Sequence, residues 1–215
     1  MSELAELRQD SESPKRQLVL DAATALFMAQ GYGAVSMDAI ARAAGVSKAT
    51  LYAYFSSKDQ LFATIIGEAC RQNIVVSNNF LPGDEADVRA ALTALAGQTL
   101  RFLLEERPLA IHRVVISESV RFPELGRAFH DNGPGVFRRM FGDWLTAETA
   151  AGRLAVPDPA IAADQFIGLL RSGLYLRATL GLTPPPTEAE IDATVAATVD
   201  VFLKAYAPSG PHAIA

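Results

Sequence analysis

The residues best suited to chemistry lie between positions 36 and 58. Ser36, Ser47, Thr50, Tyr52 and Tyr54 carry hydroxyls, and Lys48 and Lys58 carry ammonium groups. Hydroxyls and cations of this kind suit phosphate oxygens and base edges, so the stretch points to binding and not to bond breaking. The patterns of covalent or metal chemistry are missing: there is no His-Glu-x-x-His and no Gly-x-Ser-x-Gly. Gly31-Tyr32-Gly33 begins like a phosphate loop, but no strand precedes it and the third glycine is absent. An enzyme is therefore not expected, nor a metal or cofactor.

Helical geometry says how this set would be presented. Ser36 offers a cap to a short helix whose stripe is Met37, Ile40, Ala41 and Ala44. Gly45 breaks that helix and Ser47 can cap the next, in which Leu51 and Phe55 share one face. Two short helices about a glycine turn are the helix-turn-helix arrangement, over residues 36–55. With Leu51 and Phe55 inward, a rotation of about 100° per residue points Ala49 and Ala53 outward. Thr50 and Tyr52 fall on opposite flanks, Lys48 on the first turn, and Tyr54 nearer the inward side. A small crest lets a helix backbone approach a groove floor, and an alanine methyl can touch a thymine methyl. Lys48 and Ala49 suit base reading, while Thr50, Tyr52 and Lys58 suit phosphates. Taken singly, each residue also has an ordinary reading as a helix stop, core ring or solvated charge. After an enzyme, the main alternative class, a protein-binding helical adaptor is the third reading, although its hot spot would centre on Trp, Tyr or Arg.

Gly31-Tyr32, Ile40-Ala41, Ala44 through Tyr52, Tyr54-Phe55 and Ser57-Lys58-Asp59-Gln60-Leu61 closely resemble the signature of the tetracycline-repressor (TetR) family. The match covers about residues 14–61. It implies a three-helix DNA-binding head, a helical ligand-binding body and a homodimeric transcriptional repressor. It also implies contact with double-stranded operator DNA at the positions of Lys48, Ala49, Thr50, Tyr52, Tyr54 and Lys58. The caps Ser36 and Ser47 complete the candidate DNA-facing set. The sequence departs from the pattern at Val35, often threonine, and at Ala49, often glycine. Arg107-Pro108, His112 through Ile116 and Arg121 through Leu125 more weakly resemble the C-terminal domain of the AefR-like subgroup.

The remaining chain must position that head. Between its two ends the chain of 215 residues reads as helix and turn, an all-α class of about nine helices. A polar acidic tail (1–13) and a frayed end (207–215) are expected to be disordered. Between them lie the head (14–61) and a ligand-binding and dimerisation body (62–206). One helix is expected from about Ala160 to Leu180, and another from Glu124 to about Thr149 with a candidate break at Gly133-Pro134-Gly135. Stripes in the last two helices suggest a dimer surface of Phe166, Leu169, Leu170, Gly173, Val195, Val199 and Phe202. Phe102, His112, Phe129, Phe137, Phe141, Trp144 and Phe166 are candidate pocket residues, few of them charged, which favours an apolar or aromatic inducer of unknown identity.

Charge and composition bound these readings. The net charge is −5 and the sequence pI about 5.2. Residues 1–13 carry −3, residues 14–60 carry +2 and the rest carries −4. A dimer would carry −10, so random DNA is held weakly and binding depends on fitted contacts. Cys70 is the single cysteine, which excludes an intrachain disulfide. No signal-peptide core and no long apolar run are present, so a cytoplasmic protein with no membrane partner is expected.

Overall fold

The computed structural model describes residues 13–78 and 87–208, with side chains for 13–69 and 87–208. The expected acidic tail up to Glu12, residues 79–86, where Leu81-Pro82-Gly83-Asp84 reads in the sequence as a turn, the Cys70 side chain and the segment from Ser209 lie outside the described residues.

The fold is all-helical, with eleven helices among the described residues. They are α1 (Pro14–Gln30), α2 (Met37–Ala43), α3 (Lys48–Tyr54), α4 (Lys58–Asn78), α5 (Val88–Leu104) and α6 (Glu106–Glu118). Then follow α7 (Pro123–Asn132), α8 (Pro134–Ala150), α9 (Pro159–Leu170), α10 (Gly173–Thr179) and α11 (Glu188–Tyr206). The count exceeds nine because two expected helices are each divided. Pro134 cannot donate to a preceding turn and starts α8 as its first residue, after Gly133. The expected helix from Ala160 to Leu180 stops at Leu170, and Ser172 adopts an extended ψ of −157° before α10 begins. Ser172 and Gly173 are weak helix formers, which makes this the easiest place to interrupt.

Two compact units are present. Residues 13–69 together with Ala110–Asn132 form the first. The described parts of Cys70–Leu109 and Gly133–Ala215 form the second. The first is built on Val19, Leu20, Phe27, Ile40, Leu51, Phe55, Leu61 and Phe62, none more than 2% exposed. The rings of Phe27, Tyr32 and Phe62 meet mutually at 5.3–5.7 Å.

The second unit gathers Leu92, Leu95, Leu100, Phe141, Leu145, Phe166, Leu170, Val195, Val199 and Phe202 in one core. Arg101 ties α5 to α11 through Glu188 at 2.8 Å and Asp192 at 2.7 Å. Thr187 and Glu190 form a capping box that starts α11. Hydrogen bonds from the Thr187 backbone, Arg177 and the Thr187 hydroxyl hold the Glu190 carboxyl down to about 2.

Glu148 is the notable charge of this core. It is 4% exposed, and Arg153 meets both its oxygens, at 2.6 and 3.0 Å. A buried carboxylate without its partner is costly. Arg153→Met is expected to lower unfolding stability by about 3 kcal/mol in urea denaturation, whereas Arg138→Met, at an exposed pair with Asp164, is expected to change it little.

Candidate nucleic-acid interface

The helix-turn-helix forms for local reasons. Ser36 caps α2 by accepting from the Ala39 backbone N–H at 3.1 Å. Gly45 takes a φ of +65°, a left-handed value that side chains resist, and the Val46 N–H returns to the Ala41 carbonyl at 3.0 Å. Ser47 then caps α3, accepting from the Thr50 N–H at 3.0 Å. Leu51 and Phe55 turn inward at 0% and 2% exposure.

The outward face follows the helical wheel. Lys48, Ala49, Tyr52 and Ala53 are exposed, with Tyr52 at 50%. Thr50 is half-buried, its hydroxyl 2.8 Å from that of Ser47. Tyr54 is half-buried and its hydroxyl shares a hydrogen bond with Ser13 at 2.8 Å. Ser36 is exposed beside its cap bond. Six of the eight candidates thus lie on or beside one surface of α2 and α3, and Tyr54 flanks it. Lys58 differs. Its ammonium donates inward, to the carbonyls of Tyr32 at 2.8 Å and Val35 at 2.9 Å. Burial pushes its pKa down, against the pull of Asp59, Glu118 and Glu124.

Sequence reasoning missed three participants. Asp38 on α2 pairs with Lys48 at 2.6 Å across the turn. Ser13 holds Tyr54. Gln60 accepts from the Ser56 N–H at 2.6 Å while its own N–H donates to Ser57, fixing the start of α4. Only the last had a readable signal, a serine followed three residues later by glutamine.

The candidate pocket residues fall in both units. His112 and Phe129 stack at 5.8 Å in the first. In the second, Phe141 meets Phe137 at 5.6 Å, Trp144 at 5.8 Å and Phe166 at 4.8 Å. Phe102 is half-buried on α5. The Trp144 indole N–H is buried without a hydrogen-bond acceptor. The expected dimer surface needs correction: Phe166, Leu170, Val195, Val199 and Phe202 belong to the core of their own chain. The apolar stripe that marks them is the one each helix must bury first. Leu169 is half-buried and Gly173 exposed.

A capped, glycine-turned helix pair with a small exposed crest is the helix-turn-helix arrangement, and comparison with known proteins supplies the class. The profile described as "Bacterial regulatory proteins, tetR family" matches residues 19–65. That of the "AefR-like transcriptional repressor, C-terminal domain" matches residues 90–208, more than half of the chain. The chain belongs to the TetR family of transcriptional regulators, with an AefR-like C-terminal domain, and the family is not one of enzymes. The Flavonoid-responsive Regulator FrrA is 41% identical, with 91% of this chain and 98% of that one aligned at a TM-score of 0.75. A TetR-family regulator from Mesorhizobium loti MAFF303099 is 27% identical, with 91% and 100% aligned at a TM-score of 0.78. The HTH-type transcriptional repressor KstR of Mycolicibacterium smegmatis is 31% identical over 113 residues, 51% of this chain and 49% of that protein. The chain spans about a quarter to a half of the length of the curated relatives it matches. Among the described residues no helix is long and apolar enough to cross a membrane, and no three His, Cys, Asp or Glu gather as a metal site.

The Asp38–Lys48 pair yields a prediction. Both side chains are exposed, so the pair adds little stability. In a DNA complex, however, the carboxylate competes with phosphates and bases for the ammonium. Asp38→Asn is expected to tighten operator binding several-fold with melting temperature nearly unchanged, read by fluorescence anisotropy and calorimetry.

Proposed function

We propose that the chain is a ligand-responsive repressor that binds a palindromic operator as a homodimer and is released by a planar aromatic molecule. The observation that carries the DNA reading is the crest of α3: exposed Ala49 and Ala53 flanked by Thr50 on one side and Tyr52 on the other, on a helix anchored by buried Leu51 and Phe55. In this reading residues 14–61 are the head and residues 62–206 the effector body. A single short recognition helix reads few base pairs, and two-fold pairing doubles its contacts. A mobility shift against duplexes selected from a randomised library tests it. The expected result is retardation by one palindrome at moderate salt. Ala49→Gln is expected to change the preferred bases, and Tyr52→Ala to weaken all sequences alike.

Exposed apolar side chains support the pairing of two chains. Leu176, Leu180 and Leu182 around α10 and Val201 on α11 are each more than half exposed. The double variant Leu176→Glu, Leu180→Glu is expected to sediment as a monomer and to lose most operator affinity, while the wild type sediments as a dimer.

Two features support the inducer class. The 41% identical relative is flavonoid-responsive. The Phe137–Phe141–Trp144–Phe166 cluster ends in an indole N–H that lacks an acceptor, which a ligand oxygen would supply. A ligand that favours the DNA-free arrangement weakens operator binding by the factor by which DNA weakens its own binding. A hydroxylated flavone is expected to raise the melting temperature and release the operator, and Trp144→Phe to blunt both effects. Stabilisation without release would remove the inducer reading.

A further inference from the structure

Lys58 stands where the family resemblance implies a phosphate contact, yet its surroundings are those of an internal fastening. Besides the two carbonyls, its ammonium lies 4.2 Å from the centre of the Tyr32 ring and 5.8 Å from that of Phe122. Two of its three N–H groups are committed to the main chain of the turn between α1 and α2. Tyr32 is 1% exposed, and its hydroxyl donates to Asp59. Its ring meets Phe122 edge-on at 5.4 Å. Tyr32 and Lys58 together therefore form a floor, and the Phe122 ring rests on it.

One glycine of the turn gives independent support. A Cβ on Gly33 would lie 2.9 Å from the Phe122 ring and 3.2 Å from a Glu118 oxygen. Gly33 has no left-handed φ, so this close approach is what demands glycine there. Gly31 is glycine for a different reason, its left-handed φ of +80°, since the Glu118 carboxylate near it ends a flexible side chain that can shift. The corner between α6 and α7, from Glu118 to Phe122, thus packs closely on Gly33 of this turn. That same turn leads directly into Ser36, the cap of α2.

We propose that Lys58 is a positioning residue: with Tyr32 and Phe122 it fastens the α6–α7 corner to the turn that sets α2 and α3, and it makes no phosphate contact of its own. The proposal rests on the reading that α3 binds operator DNA. The alternative, an ordinary phosphate lysine, makes a different measurable claim. Each lost phosphate contact lowers the slope of log affinity against log salt by about 0.9.

The experiment uses the full chain and a duplex enriched from a randomised library. Affinity is measured over a series of KCl concentrations for wild type, Lys58→Met, Phe122→Leu and Lys48→Met. Circular dichroism fixes a temperature at which all four are folded. The expected result is that Lys58→Met and Phe122→Leu each weaken binding roughly tenfold, with the salt slope of the wild type retained. Lys48→Met, on the exposed face, is expected to lower the slope by about one contact. A lowered slope in Lys58→Met overturns the proposal. So does unchanged affinity in Phe122→Leu, even with a reduced melting temperature, since the contact would then be structural only. If Lys58→Met does not fold, Phe122→Leu decides by affinity alone. A library that yields no enriched duplex overturns the DNA-binding reading, and this proposal with it, before any variant is made.

Discussion

The helix that carries the candidate contacts has no stability of its own. Seven residues make about two turns, well short of the roughly 12–15 that an isolated helix needs in water. What holds α3 in place is the burial of Leu51 and Phe55, one turn apart on its inner face. That single apolar anchorage fixes the rotation of the helix about its axis. Rotation in turn decides that Ala49 and Ala53 face out and that Thr50 and Tyr52 flank them. The serine caps and the left-handed Gly45 set where the helix begins, while the anchorage sets which way it looks.

The distribution of charge is subtler than its sum. The head is the one basic stretch of an acidic chain, but much of its positive charge is engaged within the fold. Arg16 is paired with Glu68, Lys48 with Asp38, and Lys58 with main-chain carbonyls. Carboxylates offset the Arg16 and Lys48 charges locally, while Lys58, bonded to neutral carbonyls, keeps its own; it is the acidity of the rest of the chain that limits attraction of random duplex from a distance. Attraction must come from fit, which agrees with a crest of methyl groups bordered by hydroxyls.

The head was legible in the sequence because its signals are local. Ser36, Gly45 and Ser47 mark helix ends by their own backbone chemistry, and the Leu51–Phe55 spacing gives the inward direction. What was not legible depends on distant partners. A lysine at a helix start reads as solvated, and nothing near Lys58 reveals that Tyr32, 26 residues earlier, lies beneath it. The stripes of α9 and α11 were visible, but a stripe shows only that a helix buries one side. It does not say whether its own chain or another covers that side, and here its own chain covers Phe166, Val195, Val199 and Phe202. The break before α10 was hidden for a related reason. Ser172 and Gly173 read equally well as small residues at a close packing face.

The alanine crest has a consequence for the state of the DNA it meets. Alanine has no rotamers to freeze, and it recognises a thymine by the methyl on its C5 carbon. It has no polar atom with which to examine the rest of the pyrimidine edge. Cytosine methylated at C5 presents the same methyl group at the same place in the groove. On the proposed reading, in which Ala49 meets a base edge, that alanine would gain at a methylated cytosine a contact that the unmodified base does not offer.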